Sequence, residues 1–474
     1  MATVVSQEEK ARFKMPSAFT ILILIILAIA AVSMIVVDPM ITKATLPNVV
    51  MAPVLGFVEA IDVSLFVLVL GGFLGVINKT GVLYKGIANI VKGLKGRELL
   101  LIPILMFIFS IGGTTYGMAE ETIAFYSLIV ATMMAAGFDS MVGAAVIMLG
   151  AGAGVLGSTI NPFAISVAVD TAKAAGIEAN QGTLILLGAI LWITTLAICI
   201  WFVMSYAKKV HNNLGASILS KQELNDAHEA FHSDKKDEDT TLSVRGKVVL
   251  FLFAFSFVVM IVSLIPWESF GVTVFNSWTA WLTGESFGNW YFRELAAWFF
   301  IISVVCGLVY RLQEKEIVDS FIAGAGDMIG VALVIAVSRG IYVIMENTNL
   351  NNFILMHSAN ALNGMNAIPF TVMSYIIYIG LSFLIPSTSG LATGSMGIFA
   401  PLAQSLNLSP DVMIMIFSAA CGLVNLITPT SGVVMGGLAI SKIDFSSWIK
   451  FSLKVIATIF VVNVVILSVA MLLL

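Results

Sequence analysis

Residues 112–126 read GGTTYGMAEETIAFY, so two adjacent carboxylates, Glu120 and Glu121, stand between the apolar runs LLLIPILMFIFSI and SLIVATMMAAG. A charge at the centre of a membrane helix costs roughly 2.5–3.5 kcal/mol. A pair therefore needs a cavity, a counter-charge or a proton. Facing a cavity, a carboxylate can hold an ammonium or guanidinium group. Hydroxyls that could hold an anion lie nearby in sequence or pattern: Thr114 and Thr115 before the glutamates, and Ser387, Thr388 and Ser389 in SFLIPSTSGLA (382–392). Two more motifs place polar groups inside apolar stretches. These are Ser158 and Asn161-Pro162 in VLGSTINPFA (155–164), and Asn425 with Thr428-Pro429-Thr430 in GLVNLITPTSG (422–432). Proline removes a backbone donor and clashes with the preceding turn, so each motif predicts a broken helix. Unwound backbone at membrane depth is tolerated where it is buried in protein or lines a cavity, and the half-helix starts offer N–H groups to anions. For one motif alone, a kink repaired by neighbouring helices would serve equally well.

Arg339, in VALVIAVSRGIYVIM, is the only basic residue placed inside an expected span. Its candidate partners are Glu120, Glu121, Asp62 and the carboxylate of a substrate. Other chemistries have little support. GAGAGVLG (150–157) contains G-x-G-x-x-G but has no βαβ context, so its glycines point to close helix packing. There is no H-E-x-x-H or G-x-S-x-G, and His357 is the only histidine outside one polar insert. Cys199, Cys306 and Cys421 lie at unrelated spacing in apolar stretches, which argues against a disulfide framework or a metal site. No cofactor, metal ion or nucleic-acid partner is expected, and an enzyme is the least favoured class.

The elements that position these residues must be membrane helices. The chain is 59% hydrophobic and 11% charged, with mean hydropathy +1.01, whereas soluble domains carry about 25% charged residues. Stretches of roughly twenty apolar residues recur, each able to cross about 30 Å of hydrocarbon. The first, 17–37, reads as a retained span rather than a signal peptide. Basic residues cluster before it (Lys10, Arg12, Lys14), in 79–97, in the insert 207–247, at Arg311 and Lys315, and at Lys442, Lys450 and Lys454. The positive-inside rule then makes the amino terminus cytoplasmic and the carboxyl terminus extracytoplasmic. Trp267, Trp278, Trp281 and Trp290, on the side poor in Lys and Arg, read as interfacial anchors. The insert, with seven basic and seven acidic residues, reads as a solvated cytoplasmic linker.

Internal similarity organises the rest. TTYGMAEET (114–122) matches STSGLATGS (387–395) at an offset of 273, which sets Thr393 and Gly394 opposite the glutamates. The Pro162 and Pro429 motifs match at 267, and 70–83 parallels 337–350 near 268. The expected fold is an all-α polytopic membrane protein of about nine spans, built from inverted repeats with two re-entrant hairpins and two broken helices. The first repeat is 1–206, with hairpin 98–136 and broken helix 141–172. The linker 207–247 and a connector span 248–265 follow. The second repeat is 291–474, with hairpin 366–406 and broken helix 411–441.

DVSLFVLVLGGFLGVINKTG (62–81), GGTTYGMAEETIAFY, LGAGAGVLGSTINPFA (149–164), SFLIPSTSGLA and GLVNLITPTSGVVMGGLA resemble the YfcC/ArcD group of basic amino acid antiporters, which is related to the DcuC dicarboxylate carriers and the AbgT transporters. The resemblance implies the ion-transporter superfamily fold, with a scaffold, a moving transport domain, elevator-type alternating access and usually a homodimer in the bilayer.

The residues themselves suggest a zwitterion with an extra positive charge, its α-carboxylate on the hydroxyl and helix-break groups and its cationic end on a glutamate. Adjacent helical positions point about 100° apart, so one glutamate lines the site and the other pairs elsewhere. Arginine and ornithine fit, and exchange of equal charges needs no driving ion. The alternative is a proton- or sodium-coupled carrier of C4-dicarboxylates or peptide-like substrates. An ion channel is a third class, less suited to closed hairpins.

Overall fold

The computed structural model describes residues 18–83, 85–86, 89, 97–231, 241–265, 267–276, 278–385 and 387–474. Lys10, Arg12, Lys14, Lys92, Lys95, His232 and Pro386, used in the sequence reading, lie outside them. Every regular element among the described residues is helical. The chain opens with α1 (Ala18–Ile35), α2 (Leu46–Glu59) and α3 (Ile61–Thr80). A first pair of apolar arms follows, α4 (Leu101–Tyr116) and α5 (Ile123–Ala135), then α6 (Ser140–Leu156), α7 (Val167–Ala174) and α8 (Gln181–Asn212). Next come α9 (Lys221–Phe231) and α10 (Val244–Leu264). The order then recurs as α11 (Phe292–Tyr310), α12 (Glu314–Asp327), α13 (Ile329–Asn347), α14 (Leu350–Leu362), the arms α15 (Ala367–Leu384) and α16 (Thr388–Ser405), α17 (Pro410–Val424), α18 (Gly432–Ile440) and α19 (Phe445–Leu473).

Eight of these helices are long and apolar enough to cross a membrane, and the chain is a multi-pass membrane protein. Of the expected first span 17–37, the described residues form α1 (Ala18–Ile35), which ends two residues before the expected end. Local chemistry sets several starts. Asp139 accepts from the Val142 N–H to cap α6, and Ser409 accepts from Val412 ahead of Pro410.

The helices pack as two groups. In one, α2 lies along α13 and α3 along α12, so the kinked stretches 46–80 and 314–347 run antiparallel, with α1, α10 and α11 outside them. The approach is close enough that a Cβ on Gly56 would overlap the Gly340 backbone. Ser64 Oγ donates to the Ala332 carbonyl, 3.3 Å away and 268 residues on in sequence. In the other group α4 packs on α6, α15 on α17, and α7 on α16, with α8 and α19 flanking α17. A Cβ on Gly154 would collide with the Ser110 carbonyl of α4, which explains the glycine run in α6. The groups meet where Gly432 and Gly436 of α18 abut Ile335 and Val331 of α13. The ion pairs Arg293–Asp62 (2.8 Å) and Lys79–Glu316 (3.8 Å) both lie within the first group.

The insert 207–247 is not simply a solvated linker. Residues 207–212 complete α8, and α9 docks on the helix bundle. Glu223 of α9 is buried and accepts from the Asp444 N–H (2.9 Å) and Ser447 Oγ (3.2 Å) at the start of α19. Ser217 and Tyr206 donate to Asp139, each at 2.6 Å. The His211 ring lies 5.1 Å from the Phe138 ring. Composition alone concealed these contacts because the carboxylates that make them are few among many solvated charges.

Candidate functional site

A cavity of about 140 Å³ lies where both hairpin joints, both helix breaks and the first group of helices converge. The first joint is made by Gly117, whose φ of +77° caps α4, and by Met118 and Ala119, before a 3-10 turn at Glu120–Thr122 starts the return arm. A Cβ on Gly117 would stand 2.6 Å from Asn161 Oδ1, so the joint rests directly on the first break. Glu120 is half-buried and lines the cavity. Glu121 also lines it but is only 4% exposed, and its Oε2 accepts from the Ala119 N–H at 3.1 Å. Glu121 therefore braces the joint as well as bordering the cavity, so both glutamates line the space rather than one alone, and Glu120 is the more accessible.

The second joint lies between the end of α15 and Ser387, the cap of α16. Ser387 caps α16 by accepting from the Gly390 N–H (3.2 Å), and Ser387, Thr388 and Ser389 all line the cavity. The two joints are separated by 268 residues (117 to 385), the same interval as the Ser64–Ala332 pair. At that interval Thr388 and Ser389 fall opposite Glu120 and Glu121, whereas the 273-residue alignment sets Thr393 and Gly394 there. Gly390, matched by sequence to Gly117, instead sits inside α16.

Each break starts a new helix against the cavity. Asn161 accepts from Phe163 N–H (2.9 Å) and Ala164 N–H (3.2 Å) through Oδ1, while Nδ2 donates to Ser158 Oγ (3.0 Å). In the second break Thr428 and Thr430 share a 2.7 Å hydroxyl contact, and Ser431 caps α18. Asn161, Asn425 and Thr430 line the cavity. The positive ends of three helix starts, capped by Asn161, Ser387 and Ser431, thus border one space.

Four expected site residues lie off the cavity. Thr115 Oγ1 back-bonds to the Ile111 carbonyl (2.6 Å), and Thr114 Oγ1 donates to the Gly157 carbonyl (2.8 Å), lacing the hairpin to the break. Ser158 donates to Val155, and Thr428 is buried behind Thr430. Arg339 does line the cavity, and among the described residues no carboxylate lies within 4.0 Å of it. Asp62, one of its candidate partners, is bonded to Arg293 instead.

Sequence reasoning missed Tyr291, Ser338 and Phe163. Tyr291 lies within electrostatic reach of Glu120, Glu121, Arg339 and Asp62, with its ring 5.4 Å from that of Phe163. Its only sequence signal was its place directly after Trp290, the last of the four tryptophans read as interfacial anchors.

The family model described as "C4-dicarboxylate anaerobic carrier" matches residues 38–472. A Haemophilus influenzae protein of uncharacterised role is 33% identical over 420 residues, covering 87% of this chain and 76% of that one. An Escherichia coli protein provisionally named basic amino acid antiporter YfcC is 28% identical over 418 residues, covering 86% and 77%. Two solved structures align over nearly the full length. They are the Alcanivorax borkumensis YdaH transporter (14% identity, 96% of this chain and 98% of that, TM-score 0.42) and Neisseria gonorrhoeae MtrF, described as illuminating a class of antimetabolite efflux pumps (17%, 98% and 96%, TM-score 0.41). At those scores neither substrate nor mechanism passes from one protein to another. With nearly the whole chain matched, the protein belongs to the C4-dicarboxylate anaerobic carrier family.

Proposed function

We propose that this carrier exchanges basic amino acids, arginine and ornithine among them, across the membrane in which it is embedded. The observation that supports this most directly is the charge inventory of the cavity, two carboxylates against one arginine, with three positive helix ends on the same space. The α-carboxylate of a basic amino acid would lie against the helix starts and Arg339. Its cationic end would lie against Glu120, which is the less enclosed glutamate. Charge-assisted contacts of this kind contribute about 1.5–3 kcal/mol each. The name of the Escherichia coli relative agrees with this choice.

The same reading takes the two halves as inverted repeats and the two helix groups as scaffold and moving body. The antiparallel pairing of 46–80 with 314–347 supports the first idea. The apolar Gly432–Ile335 and Gly436–Val331 contacts support the second, since a sliding surface needs no fixed polar partners. The orientation with the amino terminus cytoplasmic follows the placement of basic residues.

Proteoliposomes preloaded with unlabelled arginine, ornithine, succinate or buffer, then given labelled arginine, test the function. Uptake is expected only against arginine or ornithine. Labelled succinate taken up on a proton or sodium gradient, with no arginine exchange, would establish the dicarboxylate reading, which the family description and the unpaired Arg339 favour.

A further inference from the structure

A second recess, about 540 Å³, lies away from the substrate cavity, between α8 and α19. Its walls are apolar, with Trp201, Phe202 and Val455 along its length, and its rim carries Lys209, Lys450 and Lys454. Lys450 and Lys454 are one turn apart on α19, and Lys209 sits in the last turn of α8. All three are exposed, and among the described residues none has a carboxylate within 4.0 Å. The acid next to this region is already engaged: Asp139 is 2% exposed and accepts from Tyr206 and Ser217.

Depth separates this recess from an ordinary basic surface. Lys454 is nine residues into α19, about 14 Å along the axis at 1.5 Å per residue. Trp201, 71% exposed, lies a further two turns from Lys209 along α8. A groove between two helices long and apolar enough to cross a membrane, with a cationic rim and an apolar floor, has the shape and charge of a lipid seat.

We propose that this groove binds an anionic diacyl phospholipid, its phosphate held by Lys209, Lys450 and Lys454 and one acyl chain lying along Trp201, Phe202 and Val455. The occupant is anionic because three lysines with no carboxylate within 4.0 Å among the described residues line the same recess, and a lipid because the rest of its wall is largely apolar. The lipid would bridge α8 to α19 on the face where Glu223 of α9 already holds the start of α19.

The full-length protein, purified in a neutral detergent, would be titrated with phosphatidylglycerol, phosphatidylcholine or inorganic phosphate, and bound lipid and unfolding temperature measured by native mass spectrometry and thermal unfolding. Phosphatidylglycerol should be retained and should raise the unfolding temperature, while phosphatidylcholine and phosphate should do neither. The triple variant Lys209→Gln, Lys450→Gln, Lys454→Gln should bind phosphatidylglycerol roughly a hundredfold more weakly, at about tenfold for each one to two lysines removed. Lys79→Gln, remote from the groove, should bind like wild type. Equal retention of the two lipids by wild type would overturn the proposal, as would undiminished binding by the triple variant. A stabilising effect of phosphate alone would make this a free-anion site instead. If the triple variant does not fold, the wild-type comparison of the three probes decides by itself.

Discussion

The two hairpin joints do the same geometric task with different chemistry. Both turn the chain back beside the cavity and both border it, at Gly117–Ala119 and at Ser387, the cap of α16. The second is a simple serine-capped helix start rich in hydroxyls. The first has a left-handed glycine pressed on Asn161 and a 3-10 turn that carries two carboxylates. The second joint borders the cavity with Ser387, Thr388 and Ser389 and no acid, so a joint at this place does not require one. Glu121 braces the first joint through the Ala119 N–H, while Glu120 stays the more accessible of the two at the cavity, although burial makes charge costly.

The largest expected effect concerns the acids. Glu120→Gln should weaken arginine binding roughly ten- to a hundredfold, corresponding to about 1.5–3 kcal/mol, while citrulline loses much less. Glu121→Gln should mainly lower thermal stability, since its carboxylate holds the joint through the Ala119 N–H. Equilibrium binding of both ligands to both variants, with thermal unfolding, measures this. Equal losses for charged and neutral ligands would remove the difference in role between the joints.

Next comes the glycine pair. Gly117→Ala forces a side chain into positive φ and against Asn161, so a loss of about 1–3 kcal/mol is expected. Gly390→Ala lies inside a helix, where the nearest atom is Ser387 Oγ at 3.1 Å, and should be close to neutral. Thermal unfolding of the two variants side by side would show whether the joints are as unlike as their backbones indicate.

The smallest effects belong to the breaks. Asn161→Ala removes a cap that satisfies two backbone N–H groups and should cost about 1–2 kcal/mol in stability as well as impair transport. Thr428→Ala removes the hydroxyl that meets both the Thr430 hydroxyl and the Thr430 N–H behind the cavity and should cost about 0.5–1.5 kcal/mol, with transport less affected. A larger transport defect for Thr428→Ala than for Asn161→Ala would reverse the assignment of Asn161 and Thr430, rather than Thr428, to the cavity wall.

Much of this was legible in sequence because membranes simplify the code. Apolar runs can only be helices, since every backbone group must be satisfied within the segment. Proline after Asn161 and Thr428 marked the breaks for the same reason, and unsupported charge marked Glu120, Glu121 and Arg339 as residues in need of a cavity. What sequence could not supply was direction. A hydroxyl can serve its own helix, as Thr115 does, a neighbouring one, as Thr114 does, or the cavity, as Thr388 does, and all three read alike as a string.

Position along the chain also failed where several alignments scored alike. Small polar residues repeat through both joints, so a match at 273 reads as well as one at 268 in the string alone. Contacts between distant segments were invisible altogether. Nothing local links Tyr291 to Phe163, Asp62 to Arg293 or Glu223 to Asp444. The sequence by itself determined that this chain fills a membrane with helices, breaks two of them and places charge where charge is costly, because those features follow from solvation of each segment alone. Only the tertiary structure decided which polar groups share a cavity and which hold helices together, because that depends on which faces meet when segments hundreds of residues apart pack.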